Sequence, residues 1–307
     1  MKKPNTLYAF YIKCCALSLP FLLLIAFYIY EDPFMVIRSY NDYDHSRLEQ
    51  SEGDIGWKKM LRQRASQRYD SFIMGSSCTK AYSTEEWNKH IHGRPFRLFS
   101  NNEALGDLCQ KLRAIDKLPH QPVRNLLIIA ERRFFVQAFP QAGLIHIMPP
   151  DVTGKGMISY QSTYLQNFLC PKILLPYLRF RLTGQCDATA SGVINRHGPT
   201  RTALTNDAIL YQEHDISTMG EAFWRQPYWR KAMERRPEIH TYEPVIGTEQ
   251  RRKLKEISDF CKRHATRLKL IIGPSFRREN LHPDDLTTLR TILGDSVVYD
   301  FTTHGPF

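Results

Sequence analysis

The sequence predicts an α/β protein, a three-layer parallel sheet of about five strands with helices on both faces, preceded by one N-terminal transmembrane helix. Three observations predict it. Short apolar runs such as Asn125–Ala130 alternate with helical patterns such as Arg251–His264, where Leu254, Ile257, Phe260 and Cys261 recur at helical spacing. The segment Cys14–Tyr30 holds no charge at all. The rest, with 42% hydrophobic and 24% charged residues over the 307-residue chain, has ordinary globular composition and enough apolar material for a core.

The apolar run Leu7–Tyr30 comes first. Spanning a hydrocarbon core takes about 20 residues, which this run supplies if Lys13 snorkels toward the headgroups. The residues after it, Phe27, Tyr28, Ile29, Tyr30, Glu31, Asp32 and Pro33, contain no small-x-small cleavage pattern and place aromatics like an interfacial belt. An uncleaved anchor is therefore expected over a signal peptide. Lys2, Lys3 and Lys13 lie on the N-terminal side and Glu31 and Asp32 follow the run, which puts the N-terminus in the cytoplasm and the main domain outside a cell (inner) membrane. Arg38, Arg47, Lys58 and Lys59 on the translocated side weigh against that orientation.

A net charge of +11 points to an anionic partner. For a tethered domain this is anionic lipid or an envelope polymer, met by patches such as Arg251, Arg252, Lys253 and Lys255, unless that patch is simply a solvated helix face. The anchor, residues 7–30, also offers a surface to another membrane protein. Nucleic acid is excluded by the compartment and by the lack of any recognition motif. Of seven cysteines, Cys14 and Cys15 fall in the anchor. The others (Cys78, Cys109, Cys170, Cys186 and Cys261) show no metal-ligand spacing and allow at most two disulfides. Neither a metal nor a cofactor is expected.

Along the chain, residues 31–68 read as a polar juxtamembrane linker with a helix over Ser46–Arg68. The folded domain is expected over 69–307. It opens on the strand Tyr69–Met74, stopped by Gly75, Ser76 and Ser77, and continues into a helix over Ser83–His90. Phe96–Phe99 is a second strand. A helix through Leu105, Leu108, Leu112 and Ile115 leads to Asn125–Ala130, whose continuous apolar character fits a strand buried on both faces. Residues 140–245, rich in aromatics and carrying a gapped helix from Ser162 to Leu182, read as an insertion. The rhythm resumes with Arg251–His264, the strand Leu268–Gly273, the helix Pro283–Leu293 and a last strand, Ser296–Phe301.

Ser71–Thr79, SFIMGSSCT, is the stretch that offers chemistry. A serine at a strand end is exposed at the carboxyl edge of the sheet, where a following helix and free amides favour developing negative charge. A buried strand followed by Gly75-Ser76-Ser77 resembles the first block of the SGNH/GDSL hydrolases, and the anchor is similar to that of their membrane-tethered, envelope acyl-transfer members. That resemblance implies a flavodoxin-like three-layer sheet. It implies Ser77 as nucleophile and as one oxyanion donor through its own N–H, with Ser76 as the fallback nucleophile. For the family's second block it implies Gly106 as a donor, with Asn101 or Asn102 as a side-chain donor. Where the third block presents an Asn, this chain has Glu131, Arg132 and Arg133.

For the fourth block, an Asp and a His with two residues between them near the C-terminus, the resemblance offers Asp300 and His304, with one residue too many between them. Glu279 and His282 have the right spacing but precede the last strand. No room remains after Phe307 for the helix that follows in the family, as in a diverged or C-terminally truncated member. The expected activity is a serine esterase or acyltransferase for envelope glycan or lipid. The alternatives are a non-catalytic binding or assembly protein on the same fold and a purely structural envelope component. Plainer readings stand beside each residue: Ser77 as a helix cap, His282 as a solvated helix start, and Glu131–Arg132 as a surface ion pair rather than a site pair.

Overall fold

The computed structural model describes residues 6–187, 190–195, 200–210, 212–234, 238–275 and 277–302. In chain order the elements begin with α1 (Thr6–Glu31), α2 (Glu52–Gln67), β1 (Ser71–Gly75), α3 (Thr84–Ile91), β2 (Pro95–Arg97), α4 (Leu105–Asp116), β3 (Asn125–Ala130) and α5 (Arg132–Val136). There follow α6 (Pro150–Thr153), α7 (Met157–Leu169), α8 (Pro171–Thr183), α9 (Gln212–Met219), α10 (Glu221–Trp224), α11 (Pro227–Glu234) and β4 (His240–Thr241). The chain closes with α12 (Thr248–Arg263), β5 (Arg267–Ile272), β6 (Glu279–Asn280), α13 (Pro283–Leu293) and β7 (Val298–Asp300). They form two compact units, Met1–Gln50 with Gly156–His197, and Ser51–Lys155 with Gly198–Phe307.

The larger unit is the expected α/β sheet. Five parallel strands lie in the order β2-β1-β3-β5-β7. Alternation along the strands sorts side chains between the two faces. Phe72 and Met74 of β1, Leu126 and Ile128 of β3, and Leu268, Leu270 and Ile272 of β5 join α2, α4 and α12 in one core with Trp57, Leu108, Ile115, Ile257 and Phe260. Ile73, Leu127 and Ile129 face the other way and meet Trp87 of α3 and Tyr82. That second face is covered less, because β5 presents Lys269 and half-buried Ile271 there. A groove of about 560 Å³ runs along it between Tyr82, Trp87, Tyr299 and Phe301.

Differences from the sequence expectation have local causes. The helix expected over Ser46–Arg68 begins only at Glu52, because Ser51 adopts extended backbone and its hydroxyl accepts the Asp54 amide as an N-cap. Between β1 and α3 the chain makes a 3₁₀ turn, Ser77–Ala81, before Ser83 caps α3 by accepting the Glu85 and Glu86 amides. Ser77 is thus not at the start of an α-helix. The gap expected in the helix over Ser162–Leu182 falls at Cys170, which precedes Pro171 and takes the extended conformation that a proline imposes, so the segment forms α7 and α8.

In the smaller unit α1 holds a stretch of 25 residues, Leu7–Glu31, long and apolar enough to cross a membrane. At 1.5 Å per residue it spans about 37 Å, against about 30 Å of hydrocarbon. Leu7, Phe10, Leu17, Phe21, Leu22 and Leu23 are exposed. Its last turns are packed instead: Tyr28 lies 5.1 Å from Phe168 and Phe27 6.2 Å from Tyr177, ring centre to ring centre. Residues 31–50, the first part of the polar stretch after the anchor, form a packed loop. Phe34 is buried on Tyr164, and the Asp32 carboxylate accepts the amides of Val36, Ile37 and Arg38 and the Tyr40 hydroxyl.

Candidate functional site

The chain leaves β1 for β2 on one side and then crosses back to β3 on the other, so the strand order reverses between β1 and β3. In open α/β sheets the crevice outside the carboxyl ends at such a reversal is where ligands bind. Register pairs Gly75 with Ile129, and Cys78 Sγ in the turn that follows lies 3.7 Å from the Ile129 carbonyl oxygen, so the serine turn and Glu131 leave the ends of neighbouring strands. The serine turn and Glu131 therefore share the switch point.

Gly75 is what lets β1 end this way. Its φ is +139°, and a Cβ there would run into the backbone carbonyl oxygen of Ile129. Beyond it Ser76 is half-buried and Ser77 exposed. Ser76 Oγ accepts the Cys78 amide at 3.4 Å and lies 3.1 Å from Cys78 Sγ, and the Ser76 carbonyl accepts both the amide and the hydroxyl of Thr79. Ser76 is thus occupied in holding the turn, and Ser77 is the serine left facing outward. Burial pushes the Cys78 thiol up, with Glu131 adding to the rise, so it stays protonated and the sulfur is a packing group.

Glu131 follows β3 and precedes α5 without capping it. Burial raises its carboxyl above the ordinary range, the Glu279 carboxylate raises it further, and Arg133 opposes both. Glu279 is buried at 7% exposure and takes Arg133 at 3.2 Å. Arg132 is not the partner of Glu131. It donates to the Glu243 carbonyl and its guanidinium lies 4.4 Å from the centre of the Tyr242 ring. The site pair expected from Glu131 and Arg132 is replaced by a carboxyl pair, Glu131 and Glu279, with Arg133.

Because the fold disfavours the Glu131 carboxylate, its folded pKa lies above its unfolded one, and its contribution to stability is lost as pH rises through that raised value. Glu131→Gln removes the penalty. The variant is therefore expected to match wild type in urea unfolding below the ordinary carboxyl range and to exceed it at neutral pH. Equal stability at both pH values would contradict the raised carboxyl.

Behind the turn lies a buried ion pair that the sequence did not single out. Lys111 Nζ donates to Glu103 Oε2 at 2.7 Å and to the Leu98 carbonyl at 2.6 Å, with both side chains at most 1% exposed. Burial raises Glu103 to about 7, while Lys111 and the Gly75 amide hold it down. The pair connects α4 to the end of β2.

The remaining expected site residues are engaged elsewhere. The Gly106 amide donates to the Gln137 carbonyl at 3.1 Å, and a Cβ at Gly106 would strike the Phe139 backbone, so this glycine seats a loop on α4 and its N–H is not an oxyanion donor. Asn101 Oδ1 accepts the Glu52 amide at 2.8 Å, and Asn102 is an exposed residue with φ of +44°. His282 caps α13, its Nδ1 accepting the Asp284 amide at 3.2 Å. Asp300 accepts the amide and hydroxyl of Thr302. It ends β7, three inter-strand spacings from β1 and thus on the order of 14 Å away. His304 lies outside the described residues. In the basic patch, Arg252 is paired with Glu249, and Lys253 is buried and paired with Glu256. All seven cysteines are free.

No family model, curated protein or solved structure matches this chain.

Proposed function

We propose that the chain is a membrane-tethered, extracytoplasmic serine esterase or acyltransferase of SGNH-like fold, acting on an ester of envelope glycan or lipid. One observation carries the reading: an exposed serine, Ser77, is displayed by a glycine that tolerates no side chain, at the strand-order reversal of a parallel sheet. In this reading Ser77 Oγ attacks the acyl carbonyl and the alcohol leaves as the acyl-enzyme forms. Glu131, which follows the neighbouring strand β3, takes the serine proton and returns it to the leaving oxygen. Burial and the Glu279 carboxylate raise its affinity for protons above that of an ordinary carboxylate, which makes it the stronger base. His304 with Asp300 is the base that the resemblance implies; the position of Asp300 at the far edge of the sheet argues for Glu131 instead. The direction of α1, N-terminus inside, rests on Lys2, Lys3 and Lys13.

A second reading, a non-catalytic binding or assembly protein on the same sheet, is favoured by the engagement of the Gly106 N–H with the Gln137 carbonyl, since that N–H was expected to face an oxyanion. Turnover of short-chain aryl esters by the detergent-solubilised chain separates the two. The enzyme reading expects Ser77→Ala to lower kcat/KM by about 10³-fold or more while Ser76→Ala retains activity. Equal rates in wild type and Ser77→Ala would leave the binding reading.

A further inference from the structure

Where α1 ends, the smaller unit encloses a second site. A cavity of about 420 Å³ is lined by Tyr30, Glu31, Asp32, Arg38, Arg47 and Arg181, together with Met35, Tyr40 and His45. Three guanidiniums meet two carboxylates there, and both carboxylates are already committed. Glu31, its side chain 3% exposed, is held by Arg47, by Arg181 Nε at 3.0 Å and by the Tyr177 hydroxyl at 2.7 Å. Asp32 is spent on the amides of Val36, Ile37 and Arg38 and on Tyr40.

The arginines are fixed by these contacts but not exhausted by them. Arg38 Nη2 donates to the carbonyls of Ile29 and Tyr30, the last turn of α1, at 3.1 and 2.6 Å. A guanidinium has five N–H donors in a rigid fork. Nη1 of Arg38, Nη2 of Arg47 and Nη1 of Arg181 have no partner among the described residues, and the three side chains are 54%, 43% and 38% exposed. A cavity whose carboxylates are neutralised from within and whose arginines keep free donors favours an oxyanion with several acceptor oxygens, as a phosphate has.

We infer that this cavity binds the phosphate of an anionic membrane lipid. Its place selects the lipid over soluble phosphate: Tyr30 and Glu31 are at the end of the apolar helix, so the cavity opens at headgroup depth. The inference rests on α1 spanning the bilayer. It gives the tethered chain a headgroup contact that the apolar helix alone does not provide.

The test uses the full chain reconstituted in nanodiscs of equal parts phosphatidylcholine and phosphatidylglycerol, with co-purifying lipid counted by native mass spectrometry. Wild type is expected to retain phosphatidylglycerol preferentially. One basic contact at the surface is worth about 1 kcal/mol, so Arg38→Gln should lower that preference about fivefold. Arg47→Lys, which keeps a charge on Glu31 but loses the planar fork, should lower it as well. Excess inorganic phosphate should not displace the lipid. No preference in wild type, or the same preference in both variants, would overturn the site. Displacement by inorganic phosphate would overturn the lipid assignment in favour of soluble phosphate. Release of the chain from vesicles by alkaline carbonate would overturn the membrane reading itself, and the lipid with it; lost preference in a chain that stays embedded overturns the site alone.

Discussion

Lys111→Met is expected to destabilise the larger unit by about 3–5 kcal/mol, the usual cost of removing one partner from a buried ion pair. Lys111 and Glu103 are sealed from solvent, and the substitution strands a carboxylate and removes the donor to the Leu98 carbonyl. The effect has a pH signature. Burial already raises Glu103 to about 7 in the presence of the lysine. A carboxyl whose folded pKa is raised gives stability that is full below its unfolded value, near the ordinary carboxyl range, and is lost as pH rises through the folded value. The variant should thus lie closest to wild type in acid and fall away through neutrality. Removing both charges, in Glu103→Met/Lys111→Met, should restore most of the loss, since a well-packed apolar pair often replaces a buried ionic one without cost. Urea unfolding followed by circular dichroism reads all three variants. A double variant no better than the single would mean that the ion pair is not the cause.

Gly75→Ala is the second large effect. The alanine methyl would have to occupy the space of the Ile129 carbonyl oxygen while the backbone holds φ at +139°. Strain at such a φ costs on the order of 1–3 kcal/mol for a residue with a side chain, and the collision adds to it by pushing β1 from β3 at the switch point. A total loss of roughly 3 kcal/mol or more is expected, together with displacement of Ser77. If Ser77 is the proposed nucleophile, ester turnover should be lost with it even where the chain still folds. An alanine variant of wild-type stability would contradict the close approach of the two strands.

The parts of the fold that were legible were those whose physics is local. β3, Asn125–Ala130, was read to the residue because a central strand buried on both faces is apolar without interruption. α13 was read to the residue because Pro283 opens it and Gly294 closes it. The 3₁₀ turn after Ser76 was not legible, since Ser77–Ala81 carries the same residue types as a helix start and only the hydroxyl of Ser83 announces the real one. In the site, the sequence marked Ser77 and Glu131 by their positions at strand ends. It did not mark the ring of Tyr242 as the destination of Arg132, because that contact joins residues distant in the chain. Glu103 and Lys111 carried no such mark. Only the docking of α4 on the sheet turns them inward.

The central claim is that Ser77 is the reactive group of this turn. Tryptic cleavage after Arg68 and Lys80 isolates the whole turn, with Ser71, Ser76, Ser77 and Cys78 on one peptide. The detergent-solubilised chain, treated with a fluorophosphonate, digested and sequenced by tandem mass spectrometry, should carry the phosphonyl adduct on Ser77 and lose it in Ser77→Ala. An adduct on Ser76 or Cys78, or a chain that stays unlabelled at neutral pH, would contradict the account.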